Sequence, residues 1–301
     1  MRTGLAIRDP LPWHELVLTA ELAERTGYET LFVPEIAGRE AFSSLAGLAR
    51  ATYRLRLGPG VIPLGSRSHE VLAMGAATVQ ELSQGRFILG LGAGTPGVGS
   101  LDRVRDAVAF VRVALVGKEV HAEGDDESFK LTLDPGPQPV PIWLAALGPK
   151  MMRLAGGIAD GVLLNWCPPE RVSEARRLVH EGAEAAGRDP ADVTIGVYVR
   201  ACVGQEESVA LPALREAAAG YVGDPAYRRQ FESVGLDPER IDDVVRAVCA
   251  VGDAVTARAH LGAYREAGAD VPVVYPVPVL DPVSSINGTI LALAPAPAVE
   301  H

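Results

Sequence analysis

Three short stretches of this chain carry residue types that could do chemistry. The order Gly92-Ala93-Gly94-Thr95-Pro96-Gly97 fits the pattern GxGxxG letter for letter. Glycines let a backbone approach a ligand closely and present its N–H groups, so such a loop suits a phosphate or a flat ring. The order Ala146-Leu147-Gly148-Pro149-Lys150 places a proline where a helix begins and a lysine beside it. Proline is pre-set for the first helical turn; free N–H groups, the helix dipole and the lysine charge would together hold an anion. The same letters also fit an ordinary turn with a solvated lysine. Glu35 closes the apolar run TLFVPE. A carboxyl there serves as general acid or base if its surroundings favour the protonated form; otherwise it is a loop acid or the partner of a helix N-terminus. His69, in Ser66-Arg67-Ser68-His69, reads as a helix-start residue rather than a ligand, and Trp13 and Trp166 fall near strand ends as pocket walls or as core.

Composition narrows what these residues could serve. The chain has 301 residues, 48% of them hydrophobic, and a net charge of −10. An acidic chain with no basic run is not built to hold nucleic acid or an anionic membrane by bulk electrostatics. Cys167, Cys202 and Cys249 are far apart with no CxxC, which argues for a reducing compartment without disulfides or zinc. The N-terminus MRTGLAIRDP does not read as a signal peptide, so a cytoplasmic location is expected. No apolar run reaches the length of a membrane-spanning helix. Ser-His-Asp, HExxH and P-loop signatures are absent, so hydrolytic and metal-dependent mechanisms have no positive support.

The elements that must position these residues alternate along the chain. Residues 4–9, 30–35, 55–63, 86–92, 141–147, 161–166, 194–203 and 271–277 are apolar and mostly unalternating. That is the pattern of parallel strands buried on both faces. Helical spacing follows in 13–25, 42–51, 70–82, 101–115, 149–158 and 169–186, and 283–292 fits a closing helix. Each strand followed by a helix implies a crossover connection, and eight such units predict an α/β fold, a (β/α)8 TIM barrel; a doubly wound open sheet is the runner-up. The expected organisation is a single domain over 1–301. A polar excursion at 117–139 holds a small hairpin, and a helical insertion occupies 204–252, after the seventh strand.

This order decides how the glycine loop is read. A dinucleotide fingerprint opens the first βαβ unit and has an acidic residue on the next strand. Here the glycines follow the fourth strand, and Val116-Gly117-Lys118-Glu119 lies where the acidic strand should be. The loop therefore belongs to the mouth of a barrel, where active sites are built from the carboxyl ends of the strands. Those ends carry Glu35, Gly60-Val61, Gly92-Ala93-Gly94, Ala146–Lys150, Asn165-Trp166, Arg200 and Tyr275. A glycine-lined, partly apolar mouth with one phosphate cradle suits a planar cofactor with an anionic tail.

Four stretches extend this reading: DPLPWHELVLTAELAERTGYETLFVPE, LRLGPGVIPLGSRSH, ATVQELSQGRFILGLGAG and PIWLAALGPKMMRLAGGIADGVLLNWCPPE. In order and spacing the chain resembles the luciferase-like monooxygenase superfamily, in its branch that uses the deazaflavin coenzyme F420. The resemblance implies a (β/α)8 barrel and hydride transfer at the deazaflavin C5 with a small-molecule substrate; FMN is the alternative cofactor, and a deazaflavin-binding protein without turnover is a further alternative. It also implies a non-proline cis peptide at Gly60–Val61 pressed against the ring. Gly92, Ala93 and Gly94 would lie near the ring with Glu35 beside it as the catalytic residue, and Ala146, Leu147, Gly148, Pro149 and Lys150 would hold the phosphate. A homodimer is compatible with this reading.

Two departures from the family pattern matter. Relatives carry a longer loop with aromatic residues after the fourth strand, whereas residues 94–100 here run almost directly into the next helix. Tyr221, Tyr227 and Phe231 of the insertion are expected to cover the resulting gap. Sugar-phosphate dehydrogenases of this branch have a histidine after the second-strand acid, where this chain has Ile36; a His-based mechanism is not expected.

Overall fold

The computed structural model describes residues 2–8, 11–94, 99–121 and 128–295. Eight parallel strands form the centre: β1 (Gly4–Ala6), β2 (Thr30–Val33), β3 in two segments (Arg56–Pro59 and Ile62–Pro63), β4 (Leu89–Gly92), β5 (Ile142–Ala145), β6 (Gly161–Leu164), β7 (Thr194–Val203) and β8 (Val271–Pro276). β8 pairs with both β7 and β1, so the sheet turns back on itself. The seam between β3 and β4 is held by the Leu57–Phe87 bridge and by the pairs Ile62–Leu91 and Pro63–Gly92. The result is the (β/α)8 barrel that the alternating pattern predicts. Several strands are shorter than their apolar runs, because the last residues of the runs at 4–9, 30–35, 141–147 and 161–166 leave the ladder to form the mouth.

Period-two alternation sorts the side chains. One set, including Ala6, Phe32, Ile88, Trp143, Leu163, Tyr198, Val273 and Tyr275, fills the barrel interior, with Val61 packed against it. The other set meets the surrounding helices in the main core. Trp143 fits inside only because its neighbours have no side chain. A Cβ on Gly161 would lie 2.4 Å from the indole, and one on Gly196 2.8 Å.

The helices that position the mouth are α1 (Trp13–Arg25), α2 (Ala41–Ala51), α3 (His69–Leu82), α4 (Ser100–Leu115), α5 (Pro149–Ile158) and α6 (Pro169–Ala185). The insertion after β7 comprises α7 (Glu207–Val222), α8 (Pro225–Glu232) and α9 (Ile241–Val248), and its apolar faces form a second core around Trp166. It ends in a short strand, Ala250–Gly252, which extends the sheet beside β7; the sequence reading runs helix through these residues. Helices α10 (Ala254–Glu266) and α11 (Pro282–Ala292) complete the shell. The polar excursion contains the expected antiparallel pair, Val120–His121 with Ser128–Phe129.

Candidate active site at the carboxyl end of the barrel

The third strand breaks where the resemblance implies. The peptide bond between Gly60 and Val61 is cis. Tyr198, one layer inside the mouth, donates its hydroxyl to the Gly60 carbonyl at 3.0 Å. A Cβ on Gly60 would fall 1.9 Å from that hydroxyl, so only glycine lets the phenol in. Across the mouth, a Cβ on Gly92 would lie 2.7 Å from Val61 Cγ2. Gly60, Val61 and Gly92 thus make one low wall, and Ala93 follows half-buried. Gly94 is exposed and takes the left-handed conformation, φ 71°. Residues 95–98 of the short turn lie outside the described residues.

The second glycine site opens to solvent. Ala146 is buried and ties back to Leu163 through its N–H at 3.2 Å. Leu147 is half-buried, and Gly148, Pro149 and Lys150 are exposed. Gly148 occupies the N-cap position of α5, Pro149 starts the helix, and no side chain caps it. A Cβ on Gly148 would meet nothing within 4 Å. First-turn N–H groups, the helix dipole and Lys150 can therefore meet an anion from outside.

Glu35 sits at the mouth but is fully engaged. Arg67 grips it with both terminal nitrogens, Nη1 to Oε1 at 2.6 Å and Nη2 to Oε2 at 2.7 Å. Oε2 also accepts from the Ala41 N–H, the first residue of α2, at 2.8 Å. Arg67 continues to Glu40 at 2.6 Å and lies over the Phe42 ring. Of the roles open to Glu35 in the sequence, the geometry realises the partner of a helix N-terminus. The bidentate pair adds a brace between the β2–α2 and β3–α3 loops. Both carboxylate oxygens are engaged in hydrogen bonds. Its neighbour His69 begins α3 and packs 5.5 Å from the Phe110 ring, as a helix-start residue. Trp13 lies against α2 at Gly47, not at the glycine wall.

The opposite side of the mouth is aromatic and holds a buried cation. In β7, Gly196, Tyr198 and Arg200 alternate along one face, and Arg200 pairs in register with Tyr275. Arg200 is 6% exposed. Its guanidinium carbon stands 4.4 Å from the Tyr275 ring, 4.7 Å from Trp166, 5.7 Å from Tyr221 and 5.8 Å from Tyr198. Nη1 donates to Asn165 Oδ1, and Asn165 Nδ2 donates to the Tyr227 hydroxyl at 2.8 Å. Helix α8 secures this corner, with Gln230 Nε2 on the Trp166 carbonyl at 2.6 Å. Trp166 has a left-handed backbone, φ 48°, uncommon for a bulky residue. Burial raises the Tyr198 and Tyr275 hydroxyls above the usual phenol range and pushes Tyr227 up to about 12, so all three remain neutral hydrogen-bonding groups at physiological pH.

The insertion therefore delivers Tyr221 and Tyr227 to the β6–β8 side of the mouth, with the Tyr221 ring tilted 5.2 Å from Trp166 and edge-on to Tyr227 at 4.9 Å. Phe231 is fully buried in the second core instead. The sequence places Arg200 at a strand end and Arg67 just before a helix but gives neither a role; a charge inside TIGVYVRACV was the available signal. A cavity of about 600 Å3 opens at the other end of the barrel, between Arg112, Leu115 and residues 131–140. Among its described lining residues the charged side chains are Asp134 and Arg112, and Arg112 is already bound to Asp160.

Comparison with known proteins agrees with this geometry. The family model for luciferase-like monooxygenases matches residues 2–271. The chain is 32% identical over 248 residues to a 5,10-methylenetetrahydromethanopterin reductase from Methanolobus tindarius, covering 78% of this chain and 74% of that protein. It is 31% identical over 255 residues to a putative coenzyme F420-dependent oxidoreductase from Mycobacterium tuberculosis, covering 74% and 73%. The solved structure of the coenzyme F420-dependent tetrahydromethanopterin reductase from Methanopyrus kandleri superposes with a TM-score of 0.83 at 21% identity, over 98% of each chain. The chain belongs to the luciferase-like monooxygenase family.

Proposed function

We propose that this chain is an oxidoreductase that uses coenzyme F420 and passes a hydride between the deazaflavin C5 and a small organic substrate. The observation that carries the reading is the glycine wall. Gly60, Val61 and Gly92 make a face on which a planar ring can lie, and a single Cβ at Gly92 would press on Val61. When bound, the coenzyme supplies the two-electron chemistry; the chain supplies orientation and exclusion of water. Gly60, Val61, Gly92, Ala93 and Gly94 border the ring. Ala146, Leu147, Gly148, Pro149 and Lys150 form the phosphate turn; the first-turn N–H groups of α5 and the lysine charge hold the anion, while Ala146 is tied to Leu163 and Pro149 sets the helix start. Glu35 is a positioning residue, bracing the loops beside the ring through Arg67. The relative named as a putative coenzyme F420-dependent oxidoreductase supports F420 over FMN.

The test is a side-by-side fluorescence titration with F420 and FMN. F420 is expected to bind at least about tenfold tighter, a difference of about 1.4 kcal/mol. Equal or reversed affinities would place the protein among flavin users.

A further inference from the structure

The guanidinium of Arg200 is short of partners. It is 94% buried, being 6% exposed, yet among the described residues no carboxylate pairs with it. Its single hydrogen bond runs from Nη1 to Asn165, while four aromatic faces surround it. Among the described residues Nε and Nη2 have no acceptor, and neither is sealed from solvent. Beside it, Trp166 Nε1 is a fully buried donor with no acceptor. Buried donors are normally satisfied, and a buried cation normally has a counter-charge. Among the described residues, this cluster has more donors than acceptors.

Its location makes that lack meaningful. Arg200 follows Tyr198 by one period on the inward face of β7, and Tyr198 holds the Gly60 carbonyl of the glycine wall. The cation therefore faces the glycine wall across the mouth, one strand period beyond the tyrosine that touches that wall. We propose that Arg200 is the substrate anchor, and that the substrate is an organic anion: an apolar body lying against Tyr221 and Tyr227 with a carboxylate or similar oxyanion on the free edge of the guanidinium. The planar fork of arginine matches such a group with two donors, and the aromatic walls strengthen the attraction by keeping water out. Tyr227 and Asn165 hold the guanidinium plane from behind, so a side chain of the insertion helps orient the anchor. This inference deepens the proposed function by naming its substrate class, and it rests on the reading of this mouth as the reaction site.

The experiment uses sodium benzoate as the anionic probe and benzamide as its uncharged isostere. Each is titrated calorimetrically into the cofactor-free protein at constant ionic strength. The wild-type chain is expected to prefer benzoate by about tenfold or more, the size of a lost charge-assisted contact. Arg200→Gln should abolish the preference, and Arg200→Lys, which keeps the charge without the fork, should retain part of it. If Arg200→Gln does not fold, the wild-type comparison and Arg200→Lys still decide. Equal affinities in the wild type, binding of neither probe, or an undiminished preference in Arg200→Gln would each overturn the proposal. No cofactor takes part, so failure here is distinguishable from failure of the F420 titration.

Discussion

The two ends of the barrel treat their charged side chains differently. At the amino-terminal end they finish on backbone. Arg86 donates to the carbonyls of Ala49, Thr52 and Leu55 and to the Thr52 hydroxyl. Asp160 accepts from the Ile142 N–H at 2.7 Å and pairs with Arg112; Asp270 does the same with Ile195 and Arg176. Glu24 takes three consecutive N–H groups, from Tyr53, Arg54 and Leu55. Each of these links joins an element to the start of a strand or to the loop before it. At the carboxyl end, α5 begins uncapped, Lys150 is exposed, and Arg200 keeps unpartnered donors. Glu35 and Glu40, both paired with Arg67 and both accepting backbone N–H groups, are built like the carboxylates at the other end. One end is saturated and stabilises the fold; the other retains donors for ligands.

Variants can break this contrast. The largest effect is expected from Arg86→Ala, which leaves carbonyls at the seam between β3 and β4 without their donor. It should cost about 3 kcal/mol of stability, read by denaturant unfolding. The F420 affinity of the folded protein should stay within about twofold, because the sites are far apart and independent. A coupled loss of affinity would show that the ends are not separate.

Lys150→Ala reverses the pattern. Cofactor binding should weaken by about 1–3 kcal/mol, while stability shifts by no more than about 0.5 kcal/mol, as for other exposed positions. Unchanged F420 affinity would move the phosphate site elsewhere. Gly92→Ala sharpens the same point at the ring. The new methyl, 2.7 Å from Val61 Cγ2, should lower cofactor affinity by about 1 kcal/mol through overpacking. An affinity equal to wild type would remove the glycine wall from the site.

A pH dependence also belongs to the carboxyl end. Burial pushes the thiols of Cys167 and Cys249 up to about 12 and that of Cys202 to about 11. In the unfolded chain these thiols ionise near the ordinary value of about 8.5. The folded state then holds protons that the unfolded state releases, so stability should fall as pH rises from about 8.5 toward 11. Alkylation should follow the same logic: no thiol reacts with iodoacetamide in the native protein at pH 8, and all three react once it unfolds. Native labelling of any of them would contradict their burial.

Much of the fold was legible because buried parallel strands announce themselves as apolar runs with helices between them. The mouth was legible where a residue type is tied to backbone geometry. Gly60, Gly92 and the Gly148-Pro149-Lys150 turn could be placed on strand ends from sequence alone, and the cis bond at Gly60–Val61 came through the family resemblance. What stayed hidden depends on contacts between distant segments. Arg67 is 32 residues from Glu35, and nothing local distinguishes it from a solvated loop arginine. Arg200 gains its character from rings on β6, β7, β8 and the insertion, which converge only when the barrel closes. The strand Ala250–Gly252 was read as helix because three residues cannot display a period; its pairing with β7 is tertiary.

The most direct measurement is a crystal structure of the protein with F420 bound. The ring is expected against Gly60, Val61 and Gly92, with the phosphate on the first turn of α5 at Lys150 and the open face of the ring toward Arg200. Electron density for the coenzyme at the other end of the barrel, in the cavity between Arg112 and residues 131–140, would contradict the division of labour between the two ends.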